Sequence, residues 1–481
     1  MKRMNFRAIV YLLGCVLMVE GAMMGIPVIT ALIYRESCIA VFLATAVVCA
    51  LIGFAMVKVS GKPGSFYAKE SLIIVAFSWT LMSLLGAVPF VLCGAIPSYV
   101  DALFETISGF TTTGATIIGD VEAMPRAVLI WRSATHWIGG MGILVFMIAL
   151  LPATNGNNMQ LMKMESPGPQ VDKLVPKVRE TAAMLYKIYI IITVLEFAVL
   201  CLEGMGIFDA VNISLATAGT GGYGVLNSSC GDYTVLMQVT IGIFMLLFGV
   251  NFNIYYLFYL KKWKSILGSE ELKAYLLIVA GSVAVITINI RSLYENIGLA
   301  LKDSFFQVSS IITTTGFSTA DFDAWPSLSK QILVLLMLVG ACASSTGGGM
   351  KVSRILIGLK IIRSEVLGFI HPRSVSAVRM DGRVVSDKAK QAVGAYFMLY
   401  GVIFAVSCFL LSISGKDLVS VFTAVAATIN NIGPGLGEVG PASTYAGFDP
   451  FSKIVLMLDM LAGRLELFPV LVALSPRAWC R

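Results

Sequence analysis

The stretch DALFETISGFTTTGAT, residues 101–116, decides the fold, because related stretches recur three more times along the chain. The others read DAVNISLATAGTGGYG from Asp209, DSFFQVSSIITTTGFST from Asp303 and DLVSVFTAVAATINNIGPGLG from Asp417. In the first three, an Asp precedes a particular Gly by thirteen positions, whereas Asp417 lies sixteen positions before Gly433. The fourth stretch is therefore expected to contain a longer loop.

Each of these stretches predicts a half-helix that ends in a loop at membrane depth. Asp is a good helix N-cap, and about ten residues form a helix of roughly 15 Å, which descends only part of the way into a bilayer. The negative C-terminal end of its dipole then points at the Thr- and Gly-rich loop and favours a cation there. Because lipid cannot satisfy the amides of non-helical backbone, four such loops imply a pore lined by backbone carbonyls.

The composition is that of a membrane protein. Of the residues, 57% are hydrophobic and 13% are charged, against about 25% charged in soluble domains. The nine cysteines form no CxxC pair, and two histidines are too few for a metal centre. The net charge of +7 does not indicate nucleic-acid binding, because the basic residues cluster between apolar segments.

Ten apolar segments are long enough to cross the hydrocarbon, which takes about twenty residues. The predicted spans are residues 8–33, 38–58, 70–95, 127–151, 182–203, 235–260, 273–290, 329–362, 391–413 and 453–474. Lys and Arg favour the cytoplasmic ends of spans, and every strong basic cluster falls on one side of a chain with ten spans. Both termini are therefore expected in the cytoplasm, with the four Thr- and Gly-rich loops entering from outside.

Two spans precede four units of span, half-helix, loop and span, and in this the chain resembles the Trk/Ktr/HKT superfamily of potassium transporters, with the leading spans similar to its TrkH branch. The motifs that carry the likeness are TTTGAT (111–116), TGGYG (220–224), TTTGFST (313–319) and INNIGPGLG (429–437). The resemblance implies an all-α membrane protein with four pseudo-symmetric repeats around one pore. The expected units are two N-terminal helices at 1–66 and pore repeats at 67–155, 156–265, 266–384 and 385–481.

The resemblance also implies which residues form a potassium filter, with one glycine from each repeat. The expected filter residues are Thr112, Thr113, Gly114, Thr220, Gly221, Gly222, Thr314, Thr315, Gly316, Asn430, Asn431, Ile432 and Gly433. Because each strand has one recurring Gly and none reads TVGYG, we expect Rb+ to permeate and Na+ to be rejected less strictly than in tetrameric channels. K+ is expected as the transported ion, with no cofactor.

The run ACASSTGGGMK, residues 341–351, interrupts the eighth predicted span. Its small residues and three glycines either unwind the helix or allow close helix packing. The resemblance favours an intramembrane loop that lies under the filter as a gate. The expected hinge residues are Gly347, Gly348 and Gly349, with Lys351 near the inner mouth.

Arg464 lies within the last predicted span, where a charge costs about 2.5 to 3.5 kcal/mol. Asp459 and Glu466 are close in sequence and could neutralise it. The resemblance implies instead that Arg464 faces the pore, where it holds the gating loop or raises the barrier to outward ion flow.

No catalytic motif accompanies these features, so the chain is not expected to be an enzyme. Residues 219–224, GTGGYG, match the dinucleotide pattern GxGxxG but lack the strand and the βαβ unit that such a site requires. There is no Walker A loop, so any control by nucleotides must come from a partner.

The resemblance implies a homodimer in the bacterial inner membrane, in contact with lipid and with a cytosolic ring of nucleotide-binding RCK domains such as TrkA. The basic segments 163–179 and 363–390 either dock that ring or serve as topology determinants that contact lipid headgroups. Transport is either passive or a symport. Three alternatives stay open. One is a Na+-coupled transporter of the Ktr type, and another is a secondary transporter of a different solute, for which inverted repeats are expected. The third is a structural or scaffolding membrane subunit, for which changing the filter glycines would cause no loss of transport.

Overall fold

The computed structural model describes residues 4–61, 68–142, 178–371 and 377–479. Before residue 143 the helices are α1 (Phe6–Met23), α2 (Gly25–Tyr34), α3 (Ile39–Ser60), α4 (Ala68–Gly86), α5 (Val88–Leu92), α6 (Tyr99–Phe110) and α7 (Arg126–Met141). From residue 178 to 312 they are α8 (Val178–Leu202), α9 (Ile207–Gly219), α10 (Val235–Gly249), α11 (Phe252–Tyr259), α12 (Trp263–Gly268), α13 (Glu270–Ile290) and α14 (Ile297–Ile312).

The remaining helices are α15 (Ser327–Val339), α16 (Val352–Ile370), α17 (Asp387–Leu411), α18 (Leu418–Ile429), α19 (Pro450–Arg464), α20 (Phe468–Leu474) and α21 (Pro476–Trp479). The β-strands found among the described residues are β1 (Arg379–Met380) and β2 (Arg383–Val384), which form a two-stranded antiparallel hairpin. The chain is thus mostly helical, as the all-α prediction expected. The end of the predicted span 127–151 and most of the basic segment 163–179 lie outside the described residues.

Within the described part of the chain, six helices or helix pairs are long and apolar enough to cross a membrane. They cover Phe6–Tyr34, Ile39–Ser60, Lys69–Leu92, Ala182–Leu202, Glu270–Leu293 and Asp387–Ser414. The pair α10 and α11 would make a seventh, but it is bent by 88°. The chain is therefore a multi-pass membrane protein.

Several of the predicted spans are not single continuous helices. The span expected at 235–260 breaks after Gly249, and the span expected at 453–474 ends its first helix at Arg464. In the second case Glu466 and Leu467 both have positive φ angles, a backbone conformation that stops an α-helix of L-residues. Residues 340–351 separate α15 from α16, so the interruption predicted at 341–351 falls where the structure breaks the helix.

The expected Asp N-caps are wrong for three of the four short helices. The N-cap residues of α6, α9 and α14 are Ser98, Gly206 and Asn296, whereas only α18 begins after an Asp, Asp417. The Asp417 carboxylate accepts hydrogen bonds from the amides of Val419 and Ser420, each at 3.1 Å. The pKa of Asp417 is below its ordinary value, mainly because its carboxylate accepts a hydrogen bond from the Ser420 side chain. The bond from the Ser420 amide is the next largest cause.

The longer loop expected in the fourth stretch is also wrong. Helix α18 ends at Ile429 and its glycine is Gly433, while α6 ends at Phe110 before Gly114, so four positions separate the pair in both cases. The sixteen-residue spacing arises at the start of the helix, because Asp417 caps α18 whereas Asp101 already lies in the first turn of α6. The C-terminal halves of the stretches therefore share one register.

The N-terminal helices α1 and α3 cross at close range. A methyl group on Gly14 would lie 2.7 Å from the carbonyl oxygen of Gly53, and one on Gly53 would meet the carbonyl oxygen of Gly14 at 2.5 Å. Small residues allow this approach, which is a common way for helices to associate in membranes.

Candidate functional site

The short helices α6, α9, α14 and α18 all end in a Schellman motif. At α6, the amide of Thr112 donates to the carbonyl of Gly109 at 3.1 Å and the amide of Thr113 donates to that of Ser108 at 2.8 Å. The same pair of bonds, three and five residues back, recurs in the other three helices. The left-handed residues of the four motifs are Thr112, Thr220, Thr314 and Asn431, with φ angles of 57°, 54°, 59° and 56°.

Three of these four left-handed residues are threonines, which is unusual. A β-branched side chain rarely adopts positive φ, and such strain of about 1 to 3 kcal/mol persists only where the surroundings impose it. The recurrence of this conformation at one register in four loops indicates that the loops share a function.

Two positions beyond each left-handed residue lies a glycine that also has positive φ. These are Gly114, Gly222, Gly316 and Gly433, at 75°, 80°, 87° and 93°. A methyl group on any of them would come within 3.0 Å of a backbone carbonyl of another loop. The four close approaches are Gly114 to Gly221, Gly222 to Thr315, Gly316 to Ile432 and Gly433 to Thr113. Because the series returns to the first loop, the four loops form a closed ring.

Buried side chains support the ring from behind. The hydroxyls of Thr111 and Thr113 are 2.8 Å apart, and those of Thr313 and Thr315 are also 2.8 Å apart. The side-chain amide of Asn431 donates to the hydroxyl of Thr113 at 3.0 Å and so joins the fourth loop to the first. Since the side chains bond to one another, the surface within the ring belongs to the backbone.

A cavity of about 130 Å³ opens on the ring and is lined by parts of all four loops. Its lining includes Gly114, Gly222, Gly316 and Gly433. One water occupies about 30 Å³ of liquid, so the cavity has room for an ion with part of its hydration shell.

A buried ion pair stands behind the first and second loops. Arg132 Nε lies 2.8 Å from Glu105 Oε1, and the Glu105 carboxylate also accepts from the Thr116 hydroxyl and the Ile117 amide. The Arg132 guanidinium stacks 4.0 Å from the ring centre of Tyr223, beside Gly222. The pair is thus fully hydrogen-bonded, which a buried charge pair needs in order to be tolerated.

The loop between α15 and α16, residues 340–351, lies against the helix ends that carry the ring. The amide of Gly348 donates to Thr314 Oγ1 at 2.6 Å. A methyl group on Gly347 would lie 2.8 Å from the carbonyl oxygen of Thr313, and one on Gly348 would meet the carbonyl oxygen of Asn430. The loop at 340–351 is therefore packed under the third and fourth of the Thr- and Gly-rich loops that form the ring.

Arg464, the last residue of α19, ties this loop to the first repeat. Its Nη1 donates to the carbonyl of Thr346 at 2.8 Å, and its Nη2 donates to the carbonyls of Gly139 and Gly140. The two carboxylates proposed to neutralise it have other contacts, since Glu466 pairs with Arg354 and Asp459 accepts from Ser407 at 2.7 Å.

Lys351 is buried, and its side chain bonds to carbonyls of the same loop. Its ammonium group donates to the carbonyls of Gly347 and Gly348, the latter at 3.1 Å. The Lys351 side chain turns back onto the loop that precedes it, and its expected place near the inner mouth stays a prediction.

Glu271, in the first turn of α13, bonds to both ends of the loop. Its Oε1 accepts from the amide of Ala343 at 2.7 Å and from the amide of Ser353 at 3.2 Å. A second contact joins the loop to the break between α10 and α11, where Cys342 donates to Gly249 and Phe252 donates to Ser344.

The structure brings all the predicted filter residues into the ring and all the predicted gate residues into the loop beneath it or onto its contacts. Sequence reasoning missed Glu105, Arg132 and Glu271. The first two are charged residues within the apolar first repeat, and such residues are functional candidates by default. Glu271 gave no such signal, because it lies beside other charged residues at the start of a span.

No group of three or more His, Cys, Asp and Glu side chains within the described ranges could hold a metal ion.

The sequence and the architecture of this chain match those of known proteins. Residues 39–479 match the family model described as TrkH, cation transport protein. The chain is 35% identical to the Trk system potassium uptake protein TrkH of Escherichia coli strain K12, over 99% of this chain and all of that protein. It is 32% identical to TrkG of the same strain, over the full length of both. The crystal structure of the potassium transporter TrkH from Vibrio parahaemolyticus superposes with a TM-score of 0.88 at 32% identity, over 99% of this chain and all of that one.

Proposed function

Because the chain belongs to the TrkH family of cation transport proteins, we propose that it takes up potassium ions through one pore formed by its four Thr- and Gly-rich loops. It is a transport protein and not an enzyme. The observation that carries the proposal is the closed ring of glycines, in which Gly114, Gly222, Gly316 and Gly433 each abut a carbonyl of another loop.

Selection of K+ would take place on the backbone of this ring. The carbonyls of the residues at and before each glycine replace water around the ion. The C-terminal ends of α6, α9, α14 and α18 point their negative dipole ends at it.

The gate would be the loop at 340–351. The glycines of this gating loop lie under the Thr- and Gly-rich loops of the third and fourth repeats. In this position the gating loop obstructs the path below the filter. Gly347, Gly348 and Gly349 supply the flexibility, Lys351 holds the loop compact, and Arg464 anchors it to the first repeat. Opening requires that these contacts break together.

We also propose a finer architecture of ten spans, with both termini in the cytoplasm. The first two spans lead, and the other eight form four repeats of two spans each. The shared register of the four Schellman motifs and glycines supports repeats related by rotation. Repeats related by inversion would bring loops in from opposite sides, as in many secondary transporters. The cyclic order of the four close approaches therefore argues against the solute-transporter alternative.

The assembly is proposed to be a homodimer in the bacterial inner membrane, with one pore in each protomer and a cytosolic RCK ring as regulator. The full-length likeness to Trk system proteins supports these points. A Na+-coupled mechanism of the Ktr type is the competing proposal.

The proposal is tested by uptake of radioactive Rb+ into proteoliposomes loaded with K+ or with Na+. The variants are Gly316→Ser, at the ring, and Gly281→Ser, on α13, where an added side chain meets no neighbouring atom. We expect uptake that K+ inhibits better than Na+, with loss in Gly316→Ser and retention in Gly281→Ser. Uptake that is unaffected by Gly316→Ser would refute a filter at this ring.

A further inference from the structure

Helix α11 leaves the axis of α10 at almost a right angle, and α12 follows it in the chain. The bend between α10 and α11 is 88°. Helix α13 begins at Glu270, two positions after α12 ends, and its 21 residues extend about 31 Å, enough to cross the hydrocarbon. Its first residue therefore marks the membrane surface on the gate side, and α12 lies at that surface.

This segment, residues 252–268, exposes large aromatic and aliphatic side chains. Tyr259 is 76% exposed, Trp263 53% and Leu267 70%. The rings of Phe258 and Trp263 pack edge to face, with centroids 4.9 Å apart. Aromatic residues of this kind are enriched where a protein meets the headgroup region of a bilayer.

The same segment is strongly basic. Lys261, Lys262 and Lys264 are all exposed, and residues 255–269 contain no Asp or Glu. The two acidic residues that follow have other contacts, since Glu270 pairs with Lys360 and Glu271 accepts from the gating loop. Three lysines around one tryptophan at a membrane surface complement anionic phosphate groups beside acyl chains.

The segment is also joined directly to the gating loop. Its first residue, Phe252, donates its amide to the carbonyl of Ser344 at 3.0 Å, and Gly249 accepts from the amide of Cys342 at 3.1 Å. A change in the position of α11 therefore acts on the loop directly through the Phe252 bond, while the neighbouring Gly249 bond joins the loop to the last residue of α10.

We propose that residues 252–268 bind anionic phospholipid headgroups of the surrounding bilayer, and that this binding sets how readily the loop at 340–351 opens. The inference rests on the proposed role of that loop as a gate. The exposed rings of Tyr259 and Trp263, beside the lysines, favour a lipid surface over an acidic soluble protein, because such a partner would leave those rings in water.

The test compares Rb+ uptake in vesicles of phosphatidylcholine alone and of phosphatidylcholine with phosphatidylglycerol. The test variant is Lys261→Gln/Lys262→Gln/Lys264→Gln. The matched control is Lys58→Gln/Lys187→Gln/Arg291→Gln, which removes the same charge at three exposed, scattered positions. We expect phosphatidylglycerol to change the uptake rate of the native chain and the control by roughly fivefold or more, and that of the test variant by less than about twofold.

A direct binding measurement accompanies the flux. The fluorescence of Trp263 is obtained as the difference between the native chain and Trp263→Phe. Brominated phosphatidylglycerol should quench this fluorescence more strongly than brominated phosphatidylcholine does. In the triple Gln variant, the two brominated lipids should quench it equally. Equal lipid dependence of uptake in the native chain and the test variant would overturn the inference while leaving the pore intact. Absence of uptake in every lipid would instead count against the proposed function.

Discussion

The amide of Gly348 donates a 2.6 Å hydrogen bond to Oγ1 of Thr314, two positions before Gly316. This bond joins the centre of the intramembrane loop to a strained residue of the ring. The loop and the filter are therefore in direct contact, so a change at one site should be measurable at the other.

We expect Thr314→Val to raise Rb+ leak through the closed pore. Valine keeps the branched shape but cannot accept the bond from Gly348, and an unpaired buried amide costs about 1 to 3 kcal/mol. That cost favours displacement of the loop by roughly fivefold or more, which efflux from preloaded proteoliposomes would measure.

The control for this variant is Thr112→Val, at the equivalent position of the first loop. The Thr112 hydroxyl is buried and has no hydrogen-bond partner among the described residues. Both variants alter the ring in the same way, but only one releases the loop. Equal leak in the two would show that the contact with Gly348 does not hold the gate.

Arg464→Lys and Arg464→Gln separate two roles of the arginine. The guanidinium spans Thr346 on one side and Gly139 and Gly140 on the other, a fork that an ammonium group cannot reproduce. If Arg464 acts by holding the loop, both variants should leak about tenfold or more above the native chain, since bonds to charged groups contribute about 1.5 to 3 kcal/mol each. Leak confined to Arg464→Gln would assign the effect to charge alone.

The repeats were predictable because each one encodes the same local chemistry. A short apolar helix, a Thr- or Asn-containing turn and a glycine appear in each, and their register is set by the end of the helix. The spacing from the Asp misled the sequence interpretation because capping uses whichever polar residue is at the helix start, such as Ser98 or Asn296. The register of the fourth loop followed from Ile429, not from Asp417.

Contacts between residues far apart in the chain could not be predicted from one sequence. Nothing local to Glu105 identifies Arg132 as its partner, and nothing local to Glu271 identifies residues more than seventy positions away. The break after Gly249 was missed for a related reason. The helix pattern continues through it, and the bend is stabilised by bonds to the distant residues Cys342 and Ser344.

Alanine at the ring glycines should be tolerated unequally. Gly316→Ala places a methyl group against the carbonyl of Ile432, whereas Gly433→Ala meets that of Thr113 at 2.7 Å, the least severe of the four approaches. Both have positive φ, so each variant should lose stability, by about 1 to 3 kcal/mol. Thermal unfolding in detergent should rank Gly316→Ala below Gly433→Ala, with Gly281→Ala close to the native chain. The reverse order would contradict the packing of the ring.

Removing one member of the buried pair should cost more than removing both. Arg132→Met leaves the Glu105 carboxylate buried with its countercharge gone, and such losses cost about 3 to 5 kcal/mol. The double variant Arg132→Met/Glu105→Gln removes both charges and should recover part of the stability. Melting temperatures of the single and double variants measure this coupling, and strictly additive effects would show that the pair is not coupled.

Glu271→Gln should increase leak although it changes one atom. The carboxylate Oε1 accepts from the amides of both Ala343 and Ser353, so it holds the start of the loop and the start of α16 together. Glutamine keeps one oxygen but carries no charge, and bonds to a charged acceptor contribute more than those to a neutral one, by roughly 1 kcal/mol.

The adjacent Glu270→Gln is the matched control, because Glu270 pairs with Lys360 on the outside of the bundle and not with the loop. In Rb+ efflux, leak several times higher in Glu271→Gln than in Glu270→Gln would place this carboxylate in the gate, whereas equal leak would limit it to the stability of α13.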